Sequence, residues 1–295
     1  MAALSFAMPA LAKSALAKSA LAKSGRFQPG RIAIWLLLLA GGVLMITPLL
    51  FMFSTSLKDA SEVYDLRLVP AHPTLDNYVT VLSDGRFLRW FGNSLGIATA
   101  VTLSNVFFDS LVGYTLAKFQ FRGRYIVFLA ILSTLMIPTE MLVIPWYVMA
   151  RNFGWLDTYW GIMFPGMMTA FGTFLMKQFF ETVPDDFLEA ARVDGLNEFA
   201  IFWRIAMPLV TPALSALAIF TFLSNWTAFI WPLIVTTSKE LYTLPVGLSS
   251  FAVESQIQWE LIMTGAALAT LPTLTVFLVL QRYIVRGVVM AGLKG

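Results

Sequence analysis

Two acidic residues inside long apolar runs are the first candidates for chemistry. Asp109 is the only charged residue within 90–117, and Glu140 is the only one within 125–150. An ionisable group in a bilayer is costly, and by default it indicates a function. Each residue fits either a structural hydrogen-bonding role or a place on the wall of a translocation path. A proton relay would require more such groups than these two.

Aromatic side chains in the apolar regions are the second candidates. Trp146, Tyr147, Trp226 and Trp231, with Asn225 beside them, could stack on a sugar ring and hydrogen-bond to it. Trp and Tyr are also enriched at membrane–water interfaces, where they act as anchors. The sequence leaves both interpretations open and favours the interfacial one.

Several signatures of catalysis are missing from the sequence. It contains no Cys and a single His, His72, so thiol catalysis, disulfides and His-based metal sites are excluded. The phosphate-binding pattern G-x-x-x-x-G-K-[ST] is also missing, so no ATP site is encoded. We therefore expect no enzyme activity, no metal and no cofactor in this chain, and transport energised from elsewhere becomes the leading hypothesis.

The composition indicates which elements position these residues. Of 295 residues, 58% are hydrophobic and 13% are charged, compared with about 25% charged in ordinary soluble domains. Several apolar runs reach the length of about 20 residues that crosses a bilayer as a helix. The sequence predicts an all-α, polytopic membrane protein with six transmembrane helices. The six runs cover residues 32–57, 90–117, 125–150, 158–176, 205–238 and 261–281.

Basic residues set the expected orientation. With the N-terminus inside, fourteen of the 20 Lys and Arg residues lie on the inner side, in agreement with the positive-inside rule. Both termini are therefore predicted to be cytoplasmic, and the net charge of +3 reflects topology instead of nucleic-acid binding. The predicted segments are a disordered leader with three ALAKS repeats (1–31), a first transmembrane helix (32–57), an external loop (58–89), a region of five helices (90–282) and a cytoplasmic tail (283–295).

The inner loop between the fourth and fifth runs carries strong local signals. Thr182 is a candidate helix cap, followed by Pro184 and two acids in the first turn. Gly195 suits the left-handed position that ends a helix, and Asn197 suits the cap of a second helix, which Pro208 interrupts. The predicted helix–turn–helix is either an amphipathic hairpin packed on its own bundle or a docking element for a soluble partner.

The spacing within this loop, 181–208, resembles that of a known family. Glu189-Ala190-Ala191, then Gly195, then nine residues and Ile205–Pro208 resemble the EAA loop of the membrane subunits of ATP-binding-cassette (ABC) importers. Met207 stands where Leu is usual. Other segments resemble the permeases of carbohydrate importers, in particular the shorter, six-span subunit of maltose- and alginate-type systems. The resemblance covers most of the chain and implies a type I ABC importer permease fold.

The resemblance also implies partners. The expected assembly, in the bacterial inner membrane, contains a second homologous permease, two ATPases that bind ATP and Mg²⁺, and a periplasmic solute-binding protein. ATP-driven closure of the ATPases would move the loop and alternate the access of an oligosaccharide site. The residues expected to contact the ATPases are Glu189, Ala190, Ala191, Asp194, Gly195, Lys294 and Gly295.

Two alternatives remain open on the sequence. One is a stand-alone secondary transporter or channel for a small polar solute, and the other is a membrane-embedded enzyme or assembly scaffold. The docking loop favours the importer, because a transporter that works alone needs no docking element. Neutral malto-oligosaccharides and acidic oligosaccharides both fit the family, and general resemblance favours a longer oligosaccharide such as an alginate fragment.

Overall fold

The computed structural model describes residues 29–250 and 258–292. The predicted leader lies outside these described residues apart from its last three positions. The chain divides into two units, residues 1–51 and 52–295. The described part of the first unit belongs to helix α1, which begins at Pro29 and ends at Ser56. The features considered below belong to the second unit.

Helices form the regular structure, and the described residues contain no strand. The predicted all-helical membrane fold is confirmed. The α-helices are α1 (Pro29–Ser56), α2 (Asp76–Ser83), α3 (Gly85–Lys118), α4 (Arg124–Thr134), α5 (Val143–Asn152), α6 (Tyr159–Met163), α7 (Ala170–Glu181), α8 (Asp185–Val193), α9 (Glu198–Ile201), α10 (Met207–Leu209), α11 (Thr211–Trp226), α12 (Ile230–Val235), α13 (Leu244–Ser250) and α14 (Trp259–Gly292). Short 3₁₀ turns cover Thr139–Leu142, Phe164–Gly166 and Lys239–Leu241, and a π-helical turn covers Phe202–Ala206.

Three described helices are long and apolar enough to cross a membrane, namely Ala33–Ser56, Gly85–Lys118 and Trp259–Val279. Two bent pairs qualify if each counts as one span. They are Arg124–Thr134 with Thr139–Asn152, at 94°, and Glu198–Leu209 with Thr211–Trp226, at 85°. The described residues thus contain up to five spans, and the count of six stays a prediction. The last helix continues to Gly292, past the predicted start of the tail at residue 283.

The apolar run at 158–176 is not the single helix that its composition predicts. Helices α6 and α7 are separated by residues 164–169, which include Pro165–Gly166. Proline removes a backbone donor and glycine is a poor helix former, so the helix stops there. Thr169 then caps α7, because its hydroxyl accepts a hydrogen bond from the backbone N–H of Gly172 at 3.0 Å.

Two other runs also contain a bend. The run at 125–150 bends just before the 3₁₀ turn that follows Pro138. The prediction that Pro208 interrupts its helix is wrong, since the helical path continues to Leu209. The π-helical turn that precedes α10 shifts the hydrogen-bond register, so the missing N–H of Pro208 falls where the ladder restarts. The bend comes at Val210, immediately before α11.

Helix α3 lies at the centre of the second unit and packs along both α7 and α11. The contact with α7 is close at Gly113, where a Cβ would lie 2.8 Å from the Cβ of Met176 and 2.8 Å from the backbone nitrogen of Lys177. Small residues at helix crossings allow such approach between membrane helices. Gly96 lies on the same helix with nothing within 4 Å of its Cβ position.

Polar contacts fix the end of α3 that begins at Gly85. Trp90 Nε1 donates a hydrogen bond to the carbonyl oxygen of Lys239 at 2.7 Å, and Asn93 Nδ2 donates to that of Glu240 at 2.8 Å. These bonds hold the 3₁₀ turn that follows α12 against α3. The two carbonyl groups lie outside the α-helices, and the side chains of α3 satisfy their hydrogen-bonding capacity.

The Gly113 contact generates the first prediction. We expect Gly113→Ala to lower the free energy of unfolding by about 1–3 kcal/mol, the usual cost of overpacking, because α3 and α7 must separate. The matched control is Gly96→Ala in the same helix, which we expect to be neutral or slightly stabilising, since alanine favours helix. Denaturation of the purified protein in mixed micelles measures both. Equal stability of the two variants would contradict the proposed packing.

Candidate functional site

Helix α8, in the loop between α7 and α11, has two distinct faces. Leu188 and Ala191 are buried, with 1% and 4% of their surface exposed, whereas Glu189 is exposed. Val193 is 87% exposed although it is apolar. The outer face of α8 consists of Asp186, Glu189, Ala190 and Val193. Among the predicted docking residues that the structure describes, the side chain of Ala191 is buried, whereas Glu189, Ala190, Asp194 and Gly195 are exposed.

The turn after α8 is a Schellman motif. Gly195 has a φ of 83°, in the left-handed region, and its N–H donates to the carbonyl of Arg192 at 3.0 Å. The N–H of Leu196 donates to the carbonyl of Ala191 at 3.1 Å. This pair of bonds satisfies the last carbonyls of α8 and requires a residue without a Cβ penalty. The predicted role of Gly195 in ending the helix is confirmed.

Two ion pairs fix the position of α8. Lys118 Nζ, at the end of α3, donates to Asp185 Oδ1 at 2.7 Å and to the carbonyl of Val183 at 2.6 Å. This hydrogen bond and the Lys118 charge hold the pKa of Asp185 below its ordinary value of 3.8. Arg192 Nε donates to Glu198 Oε1 at 2.7 Å, which joins α8 to α9 and raises the pKa of Arg192. Helix α8 is therefore held at both of its ends, by α3 at Asp185 and by α9 at Arg192.

The two predicted helix caps have different outcomes. Asn197 caps α9, since its Oδ1 accepts a hydrogen bond from the N–H of Ala200 at 2.8 Å. The predicted cap at Thr182 is wrong, because Thr182 ends α7 and its hydroxyl donates to the carbonyl of Phe179 at 2.8 Å. Helix α8 begins after Pro184 without a side-chain cap. The ion pair between Asp185 and Lys118 holds the first turn of α8 in the absence of such a cap.

An aromatic cluster supports the hairpin from below. The Tyr114 ring lies with its centroid 5.3 Å from that of Phe180 and 5.3 Å from that of Phe202. All three are at most 2% exposed, and they belong to α3, α7 and the π-helical turn. The hairpin is thus packed on the bundle and also presents an exposed face. The packing of the hairpin on its own bundle is therefore observed, and the docking role stays a prediction.

A cavity of about 480 Å³ lies among the membrane helices. This volume is typical of small-molecule sites, which run from about 300 to 1,000 Å³. Three interruptions of helical structure contribute to its wall, at Thr139, at Pro165–Gly166 and at Ala228. Irregular backbone at membrane depth is tolerated where it lines a water-filled cavity, and broken helices are typical of binding sites in transporters. The cavity is therefore the candidate ligand site.

The predicted path residues divide into two groups. Trp146, Asn225 and Trp231 line the cavity. Trp226 does not, because it is 3% exposed within the core and its Nε1 donates to the carbonyl of Ala269 at 3.1 Å. Tyr147 is 37% exposed and is not part of the cavity wall. Glu140 is also exposed and lies next in sequence to the lining residue Thr139.

Asp109 lies behind the cavity wall and not on it. Its side chain is fully buried, and its carboxylate accepts two hydrogen bonds from Thr169, each at 2.9 Å, one from the backbone N–H and one from the hydroxyl. Thr169 lines the cavity and caps α7. A Cβ on Gly172 would clash with the Asp109 carboxylate. Asp109 thus has the structural hydrogen-bonding role that the sequence left open. Thr169 lies between its carboxylate and the cavity.

Other side chains of α3 satisfy the same interruption, and the sequence did not identify them. Asn105 Nδ2 donates to the carbonyl of Gly166 at 2.6 Å, and Ser104 Oγ donates to that of Met167 at 2.7 Å. The sequence feature that could have identified Asn105 is its position four residues before Asp109, on the same face of an otherwise apolar helix. Lys294 and Gly295 lie outside the described residues. Among the described residues, no group of three His, Cys, Asp or Glu converges as a metal site would require.

Comparison with known proteins gives a consistent picture. Residues 109–290 match the family model described as "Binding-protein-dependent transport system inner membrane component". The chain is 35% identical over 270 residues to the arabinooligosaccharides transport system permease protein AraQ of Bacillus subtilis (strain 168), covering 90% of this chain and 96% of AraQ. It is 33% identical to the sn-glycerol-3-phosphate transport system permease protein UgpE of Yersinia pestis bv. Antiqua (strain Antiqua), over 86% and 94% of the two chains.

Two solved structures share the fold. A chain of a bacterial ABC transporter involved in the import of the acidic polysaccharide alginate superposes with a TM-score of 0.76 at 26% identity, over 85% of this chain and 95% of that one. A second structure, a bacterial alginate ABC transporter in complex with an alginate pentasaccharide-bound periplasmic protein, gives a TM-score of 0.61 at 13% identity. At that identity, the likeness concerns the fold alone.

The buried carboxylate generates the second prediction. We expect Asp109→Leu to lower the free energy of unfolding by about 3 kcal/mol, since charge-assisted hydrogen bonds contribute about 1.5–3 kcal/mol each. Asp109→Asn, which keeps an acceptor, is the conservative control and should lose less. A double-mutant cycle with Thr169→Val tests the contact directly, because interacting residues give non-additive losses. Additive losses would show that the two side chains do not share a hydrogen bond.

The third prediction concerns pH. A carboxyl whose pKa is lowered in the folded protein contributes stability above its ordinary pKa and loses it as the pH falls through the lowered value. We therefore expect hydrogen exchange of residues 183–193, corrected for intrinsic rates, to stay constant from neutral pH to about 5 and to rise below about 4. Asp185→Asn should show faster exchange and no such pH dependence. A dependence that persists in this variant would assign it to another group.

Proposed function

Because the chain belongs to the inner membrane components of binding-protein-dependent transport systems, we propose that it is the membrane-spanning subunit of an importer for an oligosaccharide. Proteins of this family are transport permeases and not enzymes. ATP and Mg²⁺ accordingly belong to two partner ATPases, which act on this chain through the α8 hairpin. A second, homologous permease and an external solute-binding protein complete the assembly, and both termini of this chain face the cytoplasm.

The outer face of α8 is the observation that carries this proposal. The exposed residues Glu189 and Ala190 stand at the first two positions of the family's EAA pattern, and exposed Gly195 stands at its glycine. Small and acidic side chains on a helix held by two ion pairs form a rigid projection that fits a cleft in a partner.

Helix α7 supplies the mechanical connection. It begins beside the cavity wall at Ala170 and ends at Glu181, four residues before α8 begins. Twelve residues of helix extend about 18 Å. A displacement of the hairpin by the ATPases would therefore reach the cavity wall through one rigid element. We propose that alternating access works in this way, driven by the difference in ATP affinity between two states of the assembly.

The fourth prediction tests the docking face. We expect Glu189→Lys to abolish most of the ATPase stimulation by substrate-loaded binding protein in reconstituted transporter, while membrane insertion and thermal stability stay unchanged, because Glu189 is exposed and has no ion pair among the described residues. The matched control is Gln178→Lys. Gln178 is an exposed residue of α7 at the same end of the bundle, and the substitution introduces the same lysine side chain.

Stimulation at the wild-type level in Glu189→Lys would refute the docking role of this face. Uptake by this chain inserted alone, without any ATPase, would refute the importer itself and favour a stand-alone transporter. The two results are distinguishable, because the first leaves ATP-dependent transport intact and the second removes the requirement for ATP.

A further inference from the structure

The cavity wall consists of neutral residues. No Lys, Arg, Asp or Glu is among the lining residues in the part of the chain that the structure describes. Its polar members carry hydroxyl or amide groups, and two tryptophans and two phenylalanines supply aromatic surface. The polar members are Thr139, Thr169, Thr221, Ser224, Asn225 and Thr243.

Two of these polar groups have unused hydrogen-bonding capacity. The Thr243 hydroxyl is buried, with 3% of the residue exposed, and has no hydrogen-bond partner among the described residues. Asn225 donates through Nδ2 to the carbonyl of Thr221 at 2.9 Å, which leaves its Oδ1 as an acceptor on the cavity side, opposite Gly166. A Cβ at Gly166 would lie 3.1 Å from this Oδ1, so the glycine keeps the amide accessible. One donor and one acceptor of this kind suit a hydroxyl group.

The aromatic part of the wall is fixed in place. Trp231 Nε1 donates to the carbonyls of Gly161 and Ile162 at 3.0 and 3.2 Å, which sets the orientation of its indole. Trp146 packs edge-on against it, with ring centroids 5.7 Å apart at 74°. A rigid apolar surface beside hydroxyl-binding groups fits the alternation of C–H faces and hydroxyls on a sugar ring.

The charges near the wall are unfavourable for an anion. Two lining residues have an acid beside them: Asp109 is hydrogen-bonded to Thr169, and Glu140 follows Thr139 in the chain. An anionic substrate would lose hydration in this cavity and would gain no counter-charge from the lining residues. Buried charges in proteins are normally paired, so a site evolved for a phosphate or carboxylate would be expected to carry Arg or Lys.

We infer that the moiety that this subunit receives is an uncharged sugar, and this inference rests on the proposed function. The inference distinguishes the relatives by the charge of the compounds that they are named for. An arabinooligosaccharide is neutral, whereas sn-glycerol 3-phosphate and alginate are anionic. The acidic alginate fragment that general sequence resemblance favours is therefore replaced by a neutral oligosaccharide.

The experiment is uptake by the complete reconstituted transporter with one fixed binding protein. The probes are arabino- and malto-oligosaccharides, alginate oligosaccharides of equal length and sn-glycerol 3-phosphate. Wild-type protein should take up a neutral probe at least about tenfold faster than any anionic one, equivalent to about 1.4 kcal/mol. Charge variants of Ser224 then separate the cavity from the binding protein, whose selectivity stays constant across the series.

Ser224→Lys and Ser224→Asp should slow uptake of the neutral probe to a similar extent, since the sign of the added charge does not matter to an uncharged sugar. The matched controls are Thr227→Lys and Thr227→Asp, at an exposed residue outside the cavity wall, which should transport normally. Faster uptake of an anionic probe by wild type, or a Lys variant that clearly outperforms the Asp variant, overturns the inference and leaves the proposed function standing. Absence of binding-protein-dependent uptake of every probe overturns both.

Discussion

The structure depends on one constraint, which is that a broken helix within a membrane must have its backbone polar groups satisfied by neighbours. Residues 164–169 interrupt the predicted fourth span, and hydrocarbon offers no water to hydrogen-bond the freed groups. Helix α3 supplies them instead, through Asn105, Asp109 and the neighbouring Ser104. These side chains are costly in an apolar helix by themselves. The cost is offset because each one pairs with a backbone or hydroxyl group that would otherwise be unsatisfied.

The same interruption creates both functional features of the chain. The break places Gly166 and Thr169 on the cavity wall. It also separates α7 from the segment before it, so that α7 and the α8 hairpin, joined by residues 182–184, lie on one side of the break. Lys118 binds this element to the end of α3, and Asp109 binds it near the cavity. The proposed coupling therefore needs no long chain of contacts, because α7 extends from the cavity wall to the segment that precedes α8.

Features determined by neighbouring residues could be predicted from the sequence, and those determined by packing could not. The glycine turn at Gly195 and the cap at Asn197 are local hydrogen-bonding patterns, and both are found as predicted. In contrast, Trp226 and Trp231 are equivalent in sequence, yet one is enclosed by α3 and α14 and the other reaches the cavity. Which face of α11 or α12 meets its neighbours depends on the bends at Val210 and at residues 227–229, and residue types do not determine the angles of these bends.

The distribution of irregular backbone indicates where the chain can change conformation. At one end, Lys118 and Arg192 hold the hairpin, and at the other, Asp157 accepts hydrogen bonds from the N–H groups of Thr237 and Ser238 at 2.9 Å each. Both ends are therefore fixed by charged or backbone hydrogen bonds, while the breaks lie between them around the cavity. Helices move as rigid bodies about short non-helical segments that absorb the change in backbone angles. Rearrangement confined to these breaks would alter the cavity first and leave both ends intact, which is the arrangement that alternating access requires.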